Sequence, residues 1–238
     1  YDMLTKTHTP RIEAWADGHA SRFQAHYSGG NSSKIGVFSF FYGLLPGYFR
    51  SFEAVQEPAL LVTELQSDGY RLGLFAAANM YRPVQLDRTA FANVPDLQLR
   101  PENPGDPSWK KDRGVNERWF EFLDGRPPGE KFFGFLFYDT AMSAGPPPDY
   151  PVRWPPADDS PQQRNLAKYR SAVHYVDGIV GKNTATELGI WPGNECVAHP
   201  KHGSYARNAI STMFRSPSST LPPLMRPRAA FSTDMQIG

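Results

Sequence analysis

Apolar positions fall along this chain in two rhythms. Leu166, Tyr169, Val173, Val176 and Val180 are separated by steps of 3, 4, 3 and 4, which predicts an amphipathic helix with one stripe turned to a core. Val115, Trp119, Phe122 and Leu123 repeat the spacing and predict a second helix. Residues 58–67 predict a third, with Leu61 and Leu65 one turn apart and Asp68-Gly69 as its stop. Residues 72–78 and 131–138 behave differently. Both are unbroken apolar runs without alternation, which suits parallel strands covered on both faces.

Four shorter segments complete the reading. Thr9-Pro10 opens a helix through Ala16, with Thr as N-cap and Pro at the first position. Residues 23–27 read as a short strand leading into Gly29-Gly30-Asn31. Val37, Phe38, Phe41, Leu44 and Leu45 then line a helix apolar nearly all round, hence buried, which Pro46-Gly47 ends. Residues 84–91 predict a short helix. Strands alternating with helices imply an α/β domain with a mostly parallel central sheet and helices on both faces.

The same patterning bounds the domain. Residues 101–108 form a polar connector, and 144–161 form a proline-rich loop over the surface. Residues 1–182 are expected to make the α/β domain. Residues 183–238 carry no sustained period and are punctuated by proline, so they are expected to form an irregular tail. The 238 residues suffice for one large core. With 25 Lys and Arg against 24 Asp and Glu, the formal charge is +1, which argues against nucleic acid as a bulk electrostatic partner. Cys196 is the single cysteine, so an internal disulfide and a multi-cysteine metal site are excluded. No stretch reaches the roughly 18 to 20 apolar residues that span a bilayer.

Candidate chemistry gathers where such a sheet presents ligands, beyond the carboxyl ends of its strands. Three loops are expected to meet there: residues 28–33, Ala78-Asn79-Met80, and Asp139-Thr140. The first places a serine at the opening turn of a helix, where unpaired amides and the positive dipole end favour an anion. An ordinary strand-turn-helix connection with Ser as N-cap fits the same local pattern. Lys34 either neutralises a bound anion or is solvated. His8, His19, His26 and His174 lack metal-ligand spacing and read as surface or boundary residues. Asp177 reads as a solvated helix residue, and Trp154 as a loop anchor or a contact for lipid or a partner.

One block carries a family resemblance. "YSGGNSSKIGVFSFFYGLLPGYF" (27–49) and "PALLVTELQSDGYRLGLFAA" (58–77), continued by "KFFGFLFYDT" (131–140) and "KYRSAVHYVDGIVGK" (168–182), resemble the YejM/PbgA type of bacterial inner-membrane protein. These carry a periplasmic domain of the sulfatase/alkaline-phosphatase superfamily. The resemblance implies a three-layer sandwich, truncated at both ends in this chain, on the periplasmic face of the inner membrane. It implies attachment to that membrane through a segment outside residues 1–238. It further implies Ser32 as catalytic nucleophile and ligand of a divalent metal, with Asn31, Ser33, Lys34, Asn79 and Asp139 around the substrate. The substrate would be a phosphate or sulfate ester or a lipid headgroup, and a membrane protein is a further candidate partner. The first-strand aspartate, the late Asp-His-Gly segment and a further histidine of the superfamily's metal site have no counterpart here. This chain is therefore expected to hold no metal stably and to turn over little. The alternative is a non-catalytic periplasmic domain that regulates lipopolysaccharide or outer-membrane lipid balance.

Overall fold

The two unbroken apolar runs pair with each other. Strand β1 (Arg71–Ala76) and strand β2 (Phe132–Phe137) form a two-stranded parallel sheet, from Arg71 opposite Phe132 to Ala76 opposite Phe137. A computed structural model describes residues 3–20, 28–142 and 145–188, with side chains at all of these except 18–19 and 184–188. The expected strand at 23–27 and residues 189–238, with Cys196, lie outside the described residues. Gln98 makes an isolated parallel bridge to Phe75, on the edge of β1 away from β2.

Period-2 geometry sends alternate side chains to opposite faces, and each face meets a helix. On one, Leu74, Ala76 and Phe133 pack against Phe41 of helix α1 (Ser33–Tyr42), and against Ala59 and Val62, at the start of and within helix α2 (Leu60–Ser67). Phe41 sits edge-on to Phe91 at 4.9 Å and to Phe135 at 5.4 Å, an arrangement favoured by ring quadrupoles. On the other face, Phe75, Ala77 and Phe132 pack against Val115, Trp119 and Leu123 of helix α3 (Ser108–Asp124). The expectation of an α/β layer with helices on both faces is met.

Glycine faces glycine in the α3-side register. Gly73 lies opposite Gly134, and the Trp119 indole occupies the space their side chains would fill. A Cβ on Gly134 would stand 2.6 Å from Trp119 Cη2, and one on Gly73 would stand 2.9 Å from Phe122 Cε1. Gly134→Ala is therefore expected to displace the indole and cost about 2 kcal/mol, in the range of overpacked cores. Urea unfolding followed by Trp fluorescence measures it.

Two further helices frame the molecule. The first described helix spans Pro10–His19, and the amphipathic pattern at 166–180 forms a long helix over Pro161–Leu188, continuing past Lys182. These two helices pack on each other.

Several expectations are corrected. Residues 84–91 form only a single tight 3-10 turn, Leu86–Arg88, because Gln85 takes a left-handed backbone (φ 63°). Their apolar side chains Val84, Leu86, Ala90 and Phe91 still fill the core. Helix α1 ends at Tyr42 because Gly43 turns left-handed (φ 64°), so Leu44 and Leu45 lie outside it. Pro46–Tyr48 then opens a short helix over Phe49–Val55 that the apolar pattern did not predict. Asp177 is fully buried and His174 nearly so, neither being the solvated or boundary residue expected. Asp177 accepts the backbone amides of Arg11 (3.1 Å) and Ile12 (2.8 Å). His174 Nδ1 meets the Tyr150 hydroxyl, and Trp154 packs on both His174 (5.4 Å) and His8 (5.0 Å).

Candidate functional site

Parallel pairing places the residues after both strands at one sheet edge. Ala77 continues the ladder by donating to the Phe137 carbonyl, so Asn79 and Asp139 leave from the same end. Asn79 is exposed, and its Oδ1 accepts the Tyr81 amide at 3.0 Å, closing the turn after β1. Asp139 is half-buried, and its Oδ2 accepts the Ser108 hydroxyl at 2.9 Å.

The turn after β2 is clamped from below. Asp112, one helical turn beyond Ser108 on α3, is fully buried. Its two carboxylate oxygens accept the amides of Asp139 (2.8 Å) and Thr140 (3.0 Å). Burial pushes this carboxyl above its ordinary range, against the lowering effect of hydrogen bonds from Thr140 and the Asp139 amide. Sequence reasoning missed this pair. Its signal was present in Pro107-Ser108, a helix opening with a polar residue one turn later.

The start of α1 is built by close approach. Ser28 donates to the Gly30 carbonyl at 2.7 Å. The turn then lies so near the helix that a Cβ on Gly29 would stand 2.1 Å from Ser39 Oγ. Ser32 occupies the N-cap position with extended backbone, and its carbonyl accepts the Gly36 amide at 2.8 Å. Its hydroxyl makes no capping bond, and no acidic side chain lies in the first turn. Asn31 and Ser32 are exposed, Ser33 and Lys34 half-buried.

Lys34 is engaged by the segment that follows β1. Its ammonium donates to Gln85 Oε1 and lies over the Phe49 ring, 4.3 Å from the centroid. The bond to Gln85 ties the start of α1 to the segment that follows β1. Lys34 thus contributes a hydrogen bond and a cation–π contact to the packing of this rim.

The sulfatase family profile matches residues 2–186. The chain belongs to the sulfatase family. Inner membrane protein YejM of Salmonella typhi is 30% identical over 188 residues, which cover 76% of this chain and 27% of that protein. YejM of Salmonella typhimurium is 27% identical over the same shares. A protein of Haemophilus influenzae is 28% identical over 133 residues, 52% of this chain and 22% of that protein. The chain thus spans about a quarter of the length of the curated relatives it matches. Among the described residues, no helix is long and apolar enough to cross a membrane.

Sulfatase-family domains usually depend on a metal, which calls for converging carboxylate and imidazole donors. Among the described residues, no group of three or more His, Cys, Asp or Glu side chains is placed to hold an ion. Beside Ser32 stand an amide and a hydroxyl, and Asp139 is bonded to Ser108. The described donors of this sulfatase-family chain do not fit a metal centre.

Proposed function

We propose that this chain is part of a periplasmic sulfatase-type domain of an inner-membrane protein, with the three-layer sandwich of alkaline phosphatase. Its reaction class is hydrolysis or transfer at a phosphate or sulfate ester held where α1 begins, with Ser32 as the attacking hydroxyl. One observation carries the reading: Ser32 heads α1 with an exposed hydroxyl that makes no cap bond. The first-turn amides and dipole favour an anion there and would stabilise charge on its oxygens. A serine hydroxyl is a weak nucleophile at its free pKa and needs activation; the complete family domain supplies it through a divalent metal.

The 238-residue chain is accordingly expected to hydrolyse neither 4-nitrophenyl phosphate nor 4-nitrophenyl sulfate above background, with or without added divalent metal. In a longer protein containing residues 1–238, metal-dependent hydrolysis that Ser32→Ala abolishes is the expected result. Hydrolysis that survives the substitution would remove Ser32 from the role.

A second reading is favoured by the engagement of Lys34 with Gln85 and Asp139 with Ser108. In it the domain is non-catalytic and governs lipopolysaccharide or outer-membrane lipid balance through a lipid or membrane-protein contact. An envelope phenotype indifferent to Ser32→Ala but lost on surface substitution would support that role.

A further inference from the structure

Among the described residues, a group of cationic side chains gathers away from Ser32, Asn79 and Asp139. A cleft of about 710 Å³ opens between the Pro10–His19 helix, α3, the Pro161–Leu188 helix and the loop at 150–153. Arg11, Arg113, Arg153 and Lys182 line it, against the single carboxylate of Glu117. Asp177 lies beside Arg11, its oxygens bonded to the Arg11 and Ile12 amides, so one further carboxylate stands behind this wall. Among the described residues, neither Arg11 nor Arg153 takes part in an ion pair, whereas Lys6, Arg50, Arg71, Lys110 and Arg118 all do.

Two of the guanidinium groups are held in place. Arg113 Nε donates to the Tyr175 hydroxyl at 3.1 Å, and that hydroxyl donates to the Trp109 carbonyl at 3.0 Å. The Arg113 guanidinium also lies over the Trp109 ring, 5.0 Å from its centroid. Arg11 is seated in a notch on the Pro161–Leu188 helix. A Cβ on Gly181 would stand 2.2 Å from Arg11 Cδ, and one on Gly178 would stand 3.5 Å from Nη1. These glycines admit the arginine stem and fix where its fork emerges. Fixed guanidinium forks bind the oxygens of phosphate in pairs and lose little entropy in doing so. The cleft falls in the size range of small-molecule sites, and Phe120, Tyr150 and Tyr175 add aromatic walls.

We propose that this cleft binds a phosphate-bearing anion, gripped by Arg11, Arg113 and Arg153. The phosphate can belong to a free small molecule or to a lipid headgroup at the membrane surface. Calorimetric titration of the full chain with inorganic pyrophosphate tests the first source. Co-sedimentation with phosphatidylglycerol vesicles, against phosphatidylcholine vesicles, tests the second. Saturable binding in either arm is expected, weakened at least tenfold by Arg153→Glu, an exposed loop change that leaves the melting temperature unaltered. Arg11→Gln should weaken it similarly, while Ser32→Ala should leave it unchanged and so separate this cleft from the start of α1. Binding in the pyrophosphate arm alone identifies a soluble ligand, and binding to the anionic vesicles alone identifies a headgroup. Absence of binding in both arms, or binding indifferent to Arg153→Glu and Arg11→Gln, would overturn the proposal.

Discussion

Asp112→Ala is expected to destabilise the domain by about 3 to 4 kcal/mol, because two buried amides lose a charged acceptor together. Asp139 and Thr140 donate to opposite oxygens of the one carboxylate. Equilibrium urea unfolding measures the loss, and a change below about 1 kcal/mol would mean the turn after β2 finds other partners. Asp112→Asn retains one carbonyl oxygen but turns an N–H donor toward the second amide, so it should recover less than half of the loss.

The pH dependence of the same pair follows from burial. Burial raises the folded-state value of Asp112 above the ordinary 3.8. Between those values the folded protein holds a proton that the unfolded chain has released, so stability falls as pH rises through the window. Above it the dependence of this group ends. Asp177 is raised for the same first reason, burial, against the hydrogen bonds from Ile12 and Arg11, and adds to the same sign. Asp112→Asn should therefore flatten the decline of unfolding free energy just above the ordinary carboxylate range. A steeper decline in the variant would contradict the assignment.

Elements whose cause is local were readable along the chain, and those whose cause lies across it were not. The runs at 72–78 and 131–138 announce doubly covered strands because, Lys131 at the edge apart, their residues are apolar, aromatic or small. The register that sets Gly73 against Gly134 could not be read, since it depends on which residues of two distant runs align. The same limit hid the site's supports. Lys34 follows Asn31-Ser32-Ser33 and suggested an anion partner, yet it bonds Gln85, 51 residues away in a loop with left-handed backbone. Asp112 sits on a helix whose apolar stripe was evident, but its acceptor role is defined by amides 27 and 28 positions later. Residues 84–91 show the opposite error. Their apolar content correctly signalled burial, while Gln85 broke the helix that burial alone suggested.

The Pro10–His19 helix is where local reading of a cap fails most clearly, and where a second large effect is expected. Thr9 precedes Pro10 in the order that marks a helix start, but its hydroxyl bonds back to the Thr5 carbonyl at 3.1 Å. Asp177, 165 and 166 residues away, supplies the acceptor for the Ile12 and Arg11 amides instead. One buried carboxylate thus both caps this helix and fastens it to the long Pro161–Leu188 helix. Asp177→Ala should cost about 3 kcal/mol, combining a lost cap with two desolvated donors. Hydrogen exchange should show the amides of Arg11, Ile12 and Glu13 losing protection before the sheet does. The substitution also separates two accounts of the basic cleft. Removing a negative charge near Arg11 would strengthen anion binding if net charge alone governed it. If instead the cleft works by holding Arg11 in the Gly178–Gly181 notch, the freed helix carries the guanidinium away and pyrophosphate binds more weakly. Weaker binding by Asp177→Ala under conditions where the variant remains folded is the expected result, since a fork that recognises phosphate by geometry depends on the helix that aims it.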